Sequence, residues 1–273
     1  MRSSDSRSAI THGGDAGGLR RYRRVMPATP AWPPQSTPRL FVTPPLVAGI
    51  RVIDGPQAHY LGSVMRLKPG DPVKLFDGVS GEWLAITRDV GRKALTVELT
   101  EQLRPTETVP DLWLCAAPLK KGRIDWVAEK ACELGVARLL PVITARTIVD
   151  RLNGERLFAH MVEAAEQCGR TAVPDLAEPV KLAALLRDWP VERALFFADE
   201  TGGAPAAAAM AAHPGPAAIL IGPEGGFTPE EREAIRSVPQ AIGIGLGPRI
   251  LRADTAAAAA VTLWMASAGD WRL

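Results

Sequence analysis

Long apolar runs are missing from this sequence. No stretch reaches the ~18–20 residues that a bilayer-spanning helix needs. The longest candidate, Ala256 to Ala268, is short, alanine-rich and interrupted by Thr262 and Ser267. The first residues carry arginines but no apolar segment of the kind a secretory signal contains, so the expectation is a cytoplasmic protein without membrane contact. Cysteine is scarce: Cys115, Cys132 and Cys168 lie far apart, each in an apolar-periodic stretch. An odd, scattered set argues for reduced core thiols over redox or metal roles. Histidine is equally sparse. His12, His59, His160 and His213 form no H-E-x-x-H pattern and have no cysteine at ligand spacing, so no metal is expected. G-x-S-x-G, G-x-G-x-x-G and the Walker phosphate loop are absent too, which disfavours a serine hydrolase, a dinucleotide enzyme and an ATPase.

A general excess of positive charge is also lacking. The net charge is +2 over 273 residues, yet positions 1–38 alone hold six arginines against Asp5 and Asp15, a net +4, which leaves −2 for the rest. Any nucleic-acid contact by the folded body must therefore come from local basic patches. Positions 1–38, rich in Ser, Gly and Pro, read as a disordered basic tail.

What is present falls into two patterns. Between Arg39 and Arg104, Val73 and Leu75 flank Lys74, and Leu95, Val97 and Leu99 alternate with Thr96, Glu98 and Thr100. A period of two marks half-buried strands, and Lys68-Pro69-Gly70-Asp71, Asp77-Gly78 and Ser80-Gly81 supply tight turns between them. A small β-barrel or curled sheet is expected, with a short helix over His59 to Leu67. A linker, Arg104 to Pro110, follows.

From Asp111 onward strands and helices alternate. Leu112 to Ala117 is apolar without alternation, as a strand buried on both faces requires. Ile124, Val127, Ala128, Ala131 and Cys132 make one helical face, with Gly135 at the position of a C-terminal cap. A further strand at Leu139–Ile143 precedes a helix with Leu157, Met161, Ala165 and Cys168 on one face. Strands at Leu195–Ala198, Ala217–Ile221 and Ala241–Leu246 follow, with a last helix over Thr255–Ala268. Thr228-Pro229-Glu230-Glu231 is a capping box. The pattern predicts an α/β domain over 111–273 with a mainly parallel sheet and helices on both faces.

Ligands of open α/β sheets bind beyond the C-terminal strand ends. Three late strands end in loops that suit a ligand: Asp199-Glu200-Thr201-Gly202-Gly203, Gly222-Pro223-Glu224-Gly225-Gly226-Phe227, and Gly247 to Thr255. Spacing alone stops at a two-domain enzyme with a glycine-lined pocket.

The motifs carry the assignment further. His59–Asp71 (HYLGSVMRLKPGD), Lys121–Val136 (KGRIDWVAEKACELGV), Glu163–Arg170 (EAAEQCGR), Ile221–Glu230 (IGPEGGFTPE) and Leu246–Thr255 (LGPRILRADT) stand in one order. In them the sequence resembles the SPOUT methyltransferases, and more closely the ribosomal RNA small subunit methyltransferase E family, which methylates N3 of a uridine in 16S ribosomal RNA. The resemblance covers Arg39 to about Ala268. It implies a PUA-like β-barrel for RNA over 39–104, a SPOUT domain over 111–273 with a trefoil knot, and a homodimer acting on the small ribosomal subunit.

For S-adenosylmethionine the resemblance implies Glu200, Gly222, Pro223, Glu224, Gly225, Gly226, Leu246, Gly247, Ile250, Leu251 and Thr255. Arg252 is the candidate for stabilising charge on the uracil or clamping a phosphate; the alternative is an ion pair with Asp254. Asp254 would be the base or the partner that orients Arg252, though the family usually has Thr-Glu where this chain has Ala253-Asp254. Arg39, Arg66, Lys68, Arg123 and Arg170 are the candidate RNA contacts. Two other functions stay open: a non-catalytic ribosome-assembly factor with the same fold, and a SPOUT enzyme acting on transfer RNA.

Overall fold

Alternating apolar and polar residues build the first sheet. The computed structural model describes residues 37–149 and 151–271, so up to position 36 the tail expected over 1–38 lies outside the described residues. Strands β1 (Arg39–Phe41), β2 (Gly49–Asp54), β3 (Pro72–Phe76), β4 (Glu82–Val90) and β5 (Ala94–Arg104) form a five-stranded sheet in the order β1-β3-β4-β5-β2. The β1–β3 pair is parallel and the other pairs are antiparallel. Val73, Leu75, Leu95, Val97 and Leu99 turn inward together, joining Leu40, Ile53, Leu61 and Ala85 in one apolar cluster. Three register shifts between β4 and β5 are bulges, which raise the local twist and curl the sheet.

The helix expected over His59–Leu67 begins earlier. Pro56 sits in the first turn of α1 (Gly55–His59), where its fixed φ favours a start, and a π-helical turn, Tyr60–Val64, continues it. Arg66 then takes φ 57° and the Leu67 amide returns to the Leu61 carbonyl at 3.1 Å, which ends the turn.

The second sheet contains β6 (Leu112–Ala116), β7 (Arg138–Ile143), β8 (Asp175–Leu176), β9 (Val180–Lys181), β10 (Ala194–Ala198), β11 (Ala204–Pro205), β12 (Ala217–Ile221) and β13 (Ala241–Gly245). All its pairs are parallel, in the order β11-β13-β10-β12-β6-β7-β8, with β9 also on β7. Alternate residues serve opposite faces. Leu112, Leu114, Phe196, Ile219 and Ile221 meet α2 (Arg123–Glu133), α3 (Gly154–Cys168), α5 (Ala206–Ala211) and α7 (Ala253–Ser267). Cys115, Leu195, Phe197 and Leu220 meet α4 (Leu182–Arg187) and α6 (Pro229–Arg236). A strand buried on both faces has no polar side to alternate with, which is why these segments read as continuous apolar runs.

Gly135 ends α2 as expected. At φ 92° its amide reaches the Cys132 carbonyl and the Val136 amide reaches that of Ala131, a Schellman closure. One expectation fails here: Cys115 and Cys132 are core thiols, but Cys168 is exposed. It lies in the last turn of α3, one residue before the left-handed Gly169 cap, past the buried stripe of Leu157, Met161, Ala164 and Ala165.

Candidate active site

Sheet order decides which loops can meet. Because β12, β10 and β13 are neighbours, the loops that follow them emerge side by side at the C-terminal edge. They enclose one cavity of about 640 Å³, within the range that holds a cofactor-sized ligand. Glu200, Gly222, Pro223, Glu224, Gly226, Leu246, Gly247, Ile250, Leu251 and Arg252 all line it, as does Arg123 from the first turn of α2. Gly225, Asp254 and Thr255 are not on its wall.

Missing side chains keep the cavity open. Gly226 has φ +68°, and a Cβ there would stand 2.8 Å from Glu200 Oε1. A Cβ on Gly222 would press on the Phe227 ring at 3.1 Å, and one on Gly203 would lie 2.6 Å from the Ile244 carbonyl carbon. The backbone of one loop can therefore approach the next strand only as glycine.

Helix α6 supports two of these loops. Its capping box is complete: the Thr228 hydroxyl accepts from the Glu231 amide at 3.2 Å, and Glu231 Oε2 accepts from the Thr228 amide at 3.0 Å. Glu231 Oε1 also accepts from the Ala145 amide at 2.7 Å, and Arg146 donates to the Gly225 carbonyl at 2.6 Å. Gly225 is thus a tethered outer residue of its loop. One and two turns into α6, Arg232 pairs with Glu200 and Arg236 pairs with Asp199, the latter at 2.6 Å. Sequence reasoning missed Arg146, Arg232 and Arg236. The arginines at i and i+4 of a helix that starts beside a glycine loop were the available signal.

Asp199 is buried, which pushes its carboxyl up, but hydrogen bonds from the Thr201 hydroxyl and amide and from Arg236 hold it below the ordinary aspartate value. It is an ionised structural acceptor.

Arg252 is exposed and, among the described residues, its guanidinium has no ion-pair partner. The alternative pairing with Asp254 does not occur. Asp254 instead takes its own neighbour, the Thr255 amide, at 2.8 Å, and stands 4.0 Å from Arg123. Asp254 therefore does not orient Arg252, and it is not on the cavity wall. Arg249, absent from the expected set, joins Arg123 and Arg252 on the cavity wall.

The candidate RNA contacts divide. Arg66 and Lys68 are exposed on the first sheet's helical turn and its following loop. Arg39 and Arg170 are corrections: Arg170 is buried, Arg39 is half-buried, and both are committed. Arg39 binds Glu82 and the Ala165 and Arg170 carbonyls, while Arg170 binds Glu107 and the Cys132 and Val136 carbonyls. Freeing either guanidinium would leave buried acceptors unpaired, so neither belongs to an RNA surface.

Among the described residues no group of His, Cys, Asp and Glu is arranged to hold a metal. Comparison with known proteins follows the same division of the chain. Residues 106–265 match a family model described as RNA methyltransferase domain, and residues 53–100 match one described as RNA methyltransferase PUA domain. The chain is 33% identical over 206 residues to the ribosomal RNA small subunit methyltransferase E of Rickettsia conorii, covering 74% of this chain and 84% of that one. It is similar to the solved ribosomal RNA small subunit methyltransferase E from Neisseria gonorrhoeae bound to S-adenosyl methionine. There the TM-score is 0.77 at 26% identity, covering 86% of this chain and 100% of that one. A Legionella pneumophila protein solved in complex with the bound cofactor SAM matches with TM-score 0.76 at 28% identity, over 85% and 98% of the two chains.

Proposed function

Because the chain belongs to the RNA methyltransferase family whose curated relatives are named ribosomal RNA small subunit methyltransferase E, we propose that it methylates N3 of a uridine in 16S ribosomal RNA with S-adenosylmethionine. The observation that carries this reading is the cavity itself: three glycine-bearing loops of adjacent strands enclose it, and three arginines stand on its wall.

The residues present fit the cofactor. Gly222 and Gly226 leave a cradle that a Cβ would fill, and Leu246, Ile250 and Leu251 supply apolar contact. When bound, S-adenosylmethionine supplies a methyl group already activated on a cationic sulfur. The chain has to hold that methyl in line with N3, accept the N3 proton, and offset the charge that spreads onto the uracil oxygens. Arg252 suits the last task, since its guanidinium is uncommitted beside the cavity. Asp199 and Glu200 are engaged by Arg236 and Arg232. Glu224 is then the cavity-wall carboxylate without an arginine partner among the described residues, and its place on the wall, where Asp254 is not, suits it to accept the N3 proton.

Arg123 and Arg249 would hold backbone phosphates near the target uridine, while Arg66 and Lys68 would contact RNA farther along. The same reading implies a homodimer. Its support is Ile250, 94% exposed beside the cavity, with Trp126 of α2 also exposed at 38%, since large apolar side chains left in solvent next to a site suit a partner subunit. Light scattering at twice the 29.2 kDa chain mass is expected. The implied trefoil knot draws support from β13, which enters the sheet between β10 and β11. The protein would act in the cytoplasm, where small subunits are assembled; no helix among the described residues is long and apolar enough to cross a membrane.

The test offers S-adenosylmethionine carrying a labelled methyl group to small subunits lacking the modification and, separately, to transfer RNA. Label in 16S ribosomal RNA alone is expected. Label in transfer RNA would redirect the assignment, and cofactor binding without transfer to either would favour an assembly role.

A further inference from the structure

The first sheet is fastened to the second domain by buried charge. Glu82, at the start of β4, has a side chain only 6% exposed and lies between two guanidiniums, Arg39 of β1 and Arg104 of β5. Arg104 Nε donates to Glu82 Oε2 at 2.9 Å. Both arginines then reach across to α3: Arg39 donates to the Ala165 and Arg170 carbonyls and Arg104 to the Gly169 carbonyl. These carbonyls close the C-terminal end of α3, where the helix dipole favours cations. Around this knot of charge, the Phe41 amide donates to Glu166 at 2.8 Å, and the Phe41 ring meets Phe76 and Phe158 edge-on at 5.5 and 6.0 Å. The linker adds a second clasp, with Glu107 Oε1 accepting from the Arg170 side chain and the Thr171 and Ala172 amides.

The path continues to the cavity. Helix α3 comes close to α2 at two polar contacts, Arg156 Nε 3.0 Å from Asp125 Oδ1 and His160 Nδ1 2.9 Å from Glu129 Oε1. Asp125 accepts from the Gly122 amide at 3.1 Å, two residues from Arg123 on the cavity wall. Packed elements with close polar contacts thus run from the first sheet to the cavity.

We infer that Glu82 is a positioning residue: by holding Arg39 and Arg104 on the end of α3, it sets the angle at which the first sheet presents RNA to the cavity. This rests on the reading of the protein as an RNA methyltransferase with RNA held on both domains. A carboxylate suits the role because each of its oxygens takes one guanidinium, leaving both arginines free to face the helix carbonyls.

The experiment compares wild type with Glu82→Gln and with the milder Arg104→Lys, which keeps the charge but loses the two-sided bridge. Three quantities are read: cofactor affinity by calorimetry, KM and kcat on small subunits, and amide hydrogen exchange over 39–42 and 165–171. Cofactor affinity should stay within about twofold, because Glu82 is not on the cavity wall. KM for the subunit should rise about tenfold or more in Glu82→Gln with a smaller change in kcat, since misalignment is costly, while exchange accelerates in both segments. Glu82→Asp should restore part of the KM. Unchanged exchange together with unchanged KM overturns the inference, and so does an equal loss of cofactor affinity, which would mean plain destabilisation. If wild type itself methylates nothing, the methyltransferase reading fails instead, and exchange together with affinity for 16S ribosomal RNA then decides the role of Glu82.

Discussion

Arg252 is the residue whose chemistry is most exposed to test. It lines the cavity without a carboxylate partner among the described residues, so its removal should spare the cofactor and harm the transfer. Arg252→Ala is expected to lower turnover about 10²-fold, with the calorimetric affinity for S-adenosylmethionine nearly unchanged. Equal turnover in the variant would contradict the role. Gly203 makes the opposite kind of prediction. A Cβ there would come within 2.6–2.7 Å of the backbone of Ile244 and Gly243, so Gly203→Ala should cost about 1–3 kcal/mol in urea unfolding. Cys168 offers a third. A hydrogen bond from the Cys132 thiol, with help from Arg170 and Arg39, holds its pKa below the ordinary thiol value, whereas burial pushes Cys115 up to about 12. Alkylation should reach Cys168 first and gain its rate at a lower pH than a free thiol does; equal labelling of Cys115 would contradict this.

At the scale of elements, α6 shows how a local signal becomes a site. Its capping box joins two loops, since Thr228 and Glu231 close the helix start and Glu231 also holds the Ala145 amide. Thr228→Ala should cost about 1 kcal/mol of stability, read as a lower urea midpoint with an unchanged slope. This cap was legible from four residues. So were the buried strands β6, β10 and β12 and the apolar face of α2, because each depends on neighbours within a few positions. Helix α5 was not legible: a run of alanines has no polar contrast from which a period can be read. Strands β8, β9 and β11 were missed because two-residue pairings are made by the partner strand. For the site, the three loops and Arg252 could be located from composition and motif. The commitment of Arg39 and Arg170 to partners inside the fold could not, because a motif marks a residue as needed without saying whether it faces RNA or a helix end. The partner of Asp254 was likewise hidden, since it comes from α2, far back in the chain.

For the whole molecule, charge pairing sets the response to acid. Burial pushes Glu82 up, but Arg104 and Arg39 hold its carboxyl below the ordinary value; Asp77 and Asp199 are held down by hydrogen bonds in the same way. A depressed folded pKa contributes stability that is complete above the unfolded carboxylate range and is lost as pH falls through the folded value. Glu166, raised by burial, works in the other sense. Three groups against one predict a melting temperature nearly flat from neutrality to about pH 5 and falling below about pH 4, with a shallower fall in Glu82→Gln. A melting temperature that rises on acidification would contradict the assignment of these carboxylates. A methyl-transfer site formed by the loops beyond β10, β12 and β13 is tested by incubating the protein and S-adenosylmethionine with unmodified small subunits and analysing the digested 16S ribosomal RNA by nucleoside mass spectrometry. Wild type should form 3-methyluridine, and Arg252→Ala should form far less; no new methylated nucleoside at saturating cofactor would overturn the assignment.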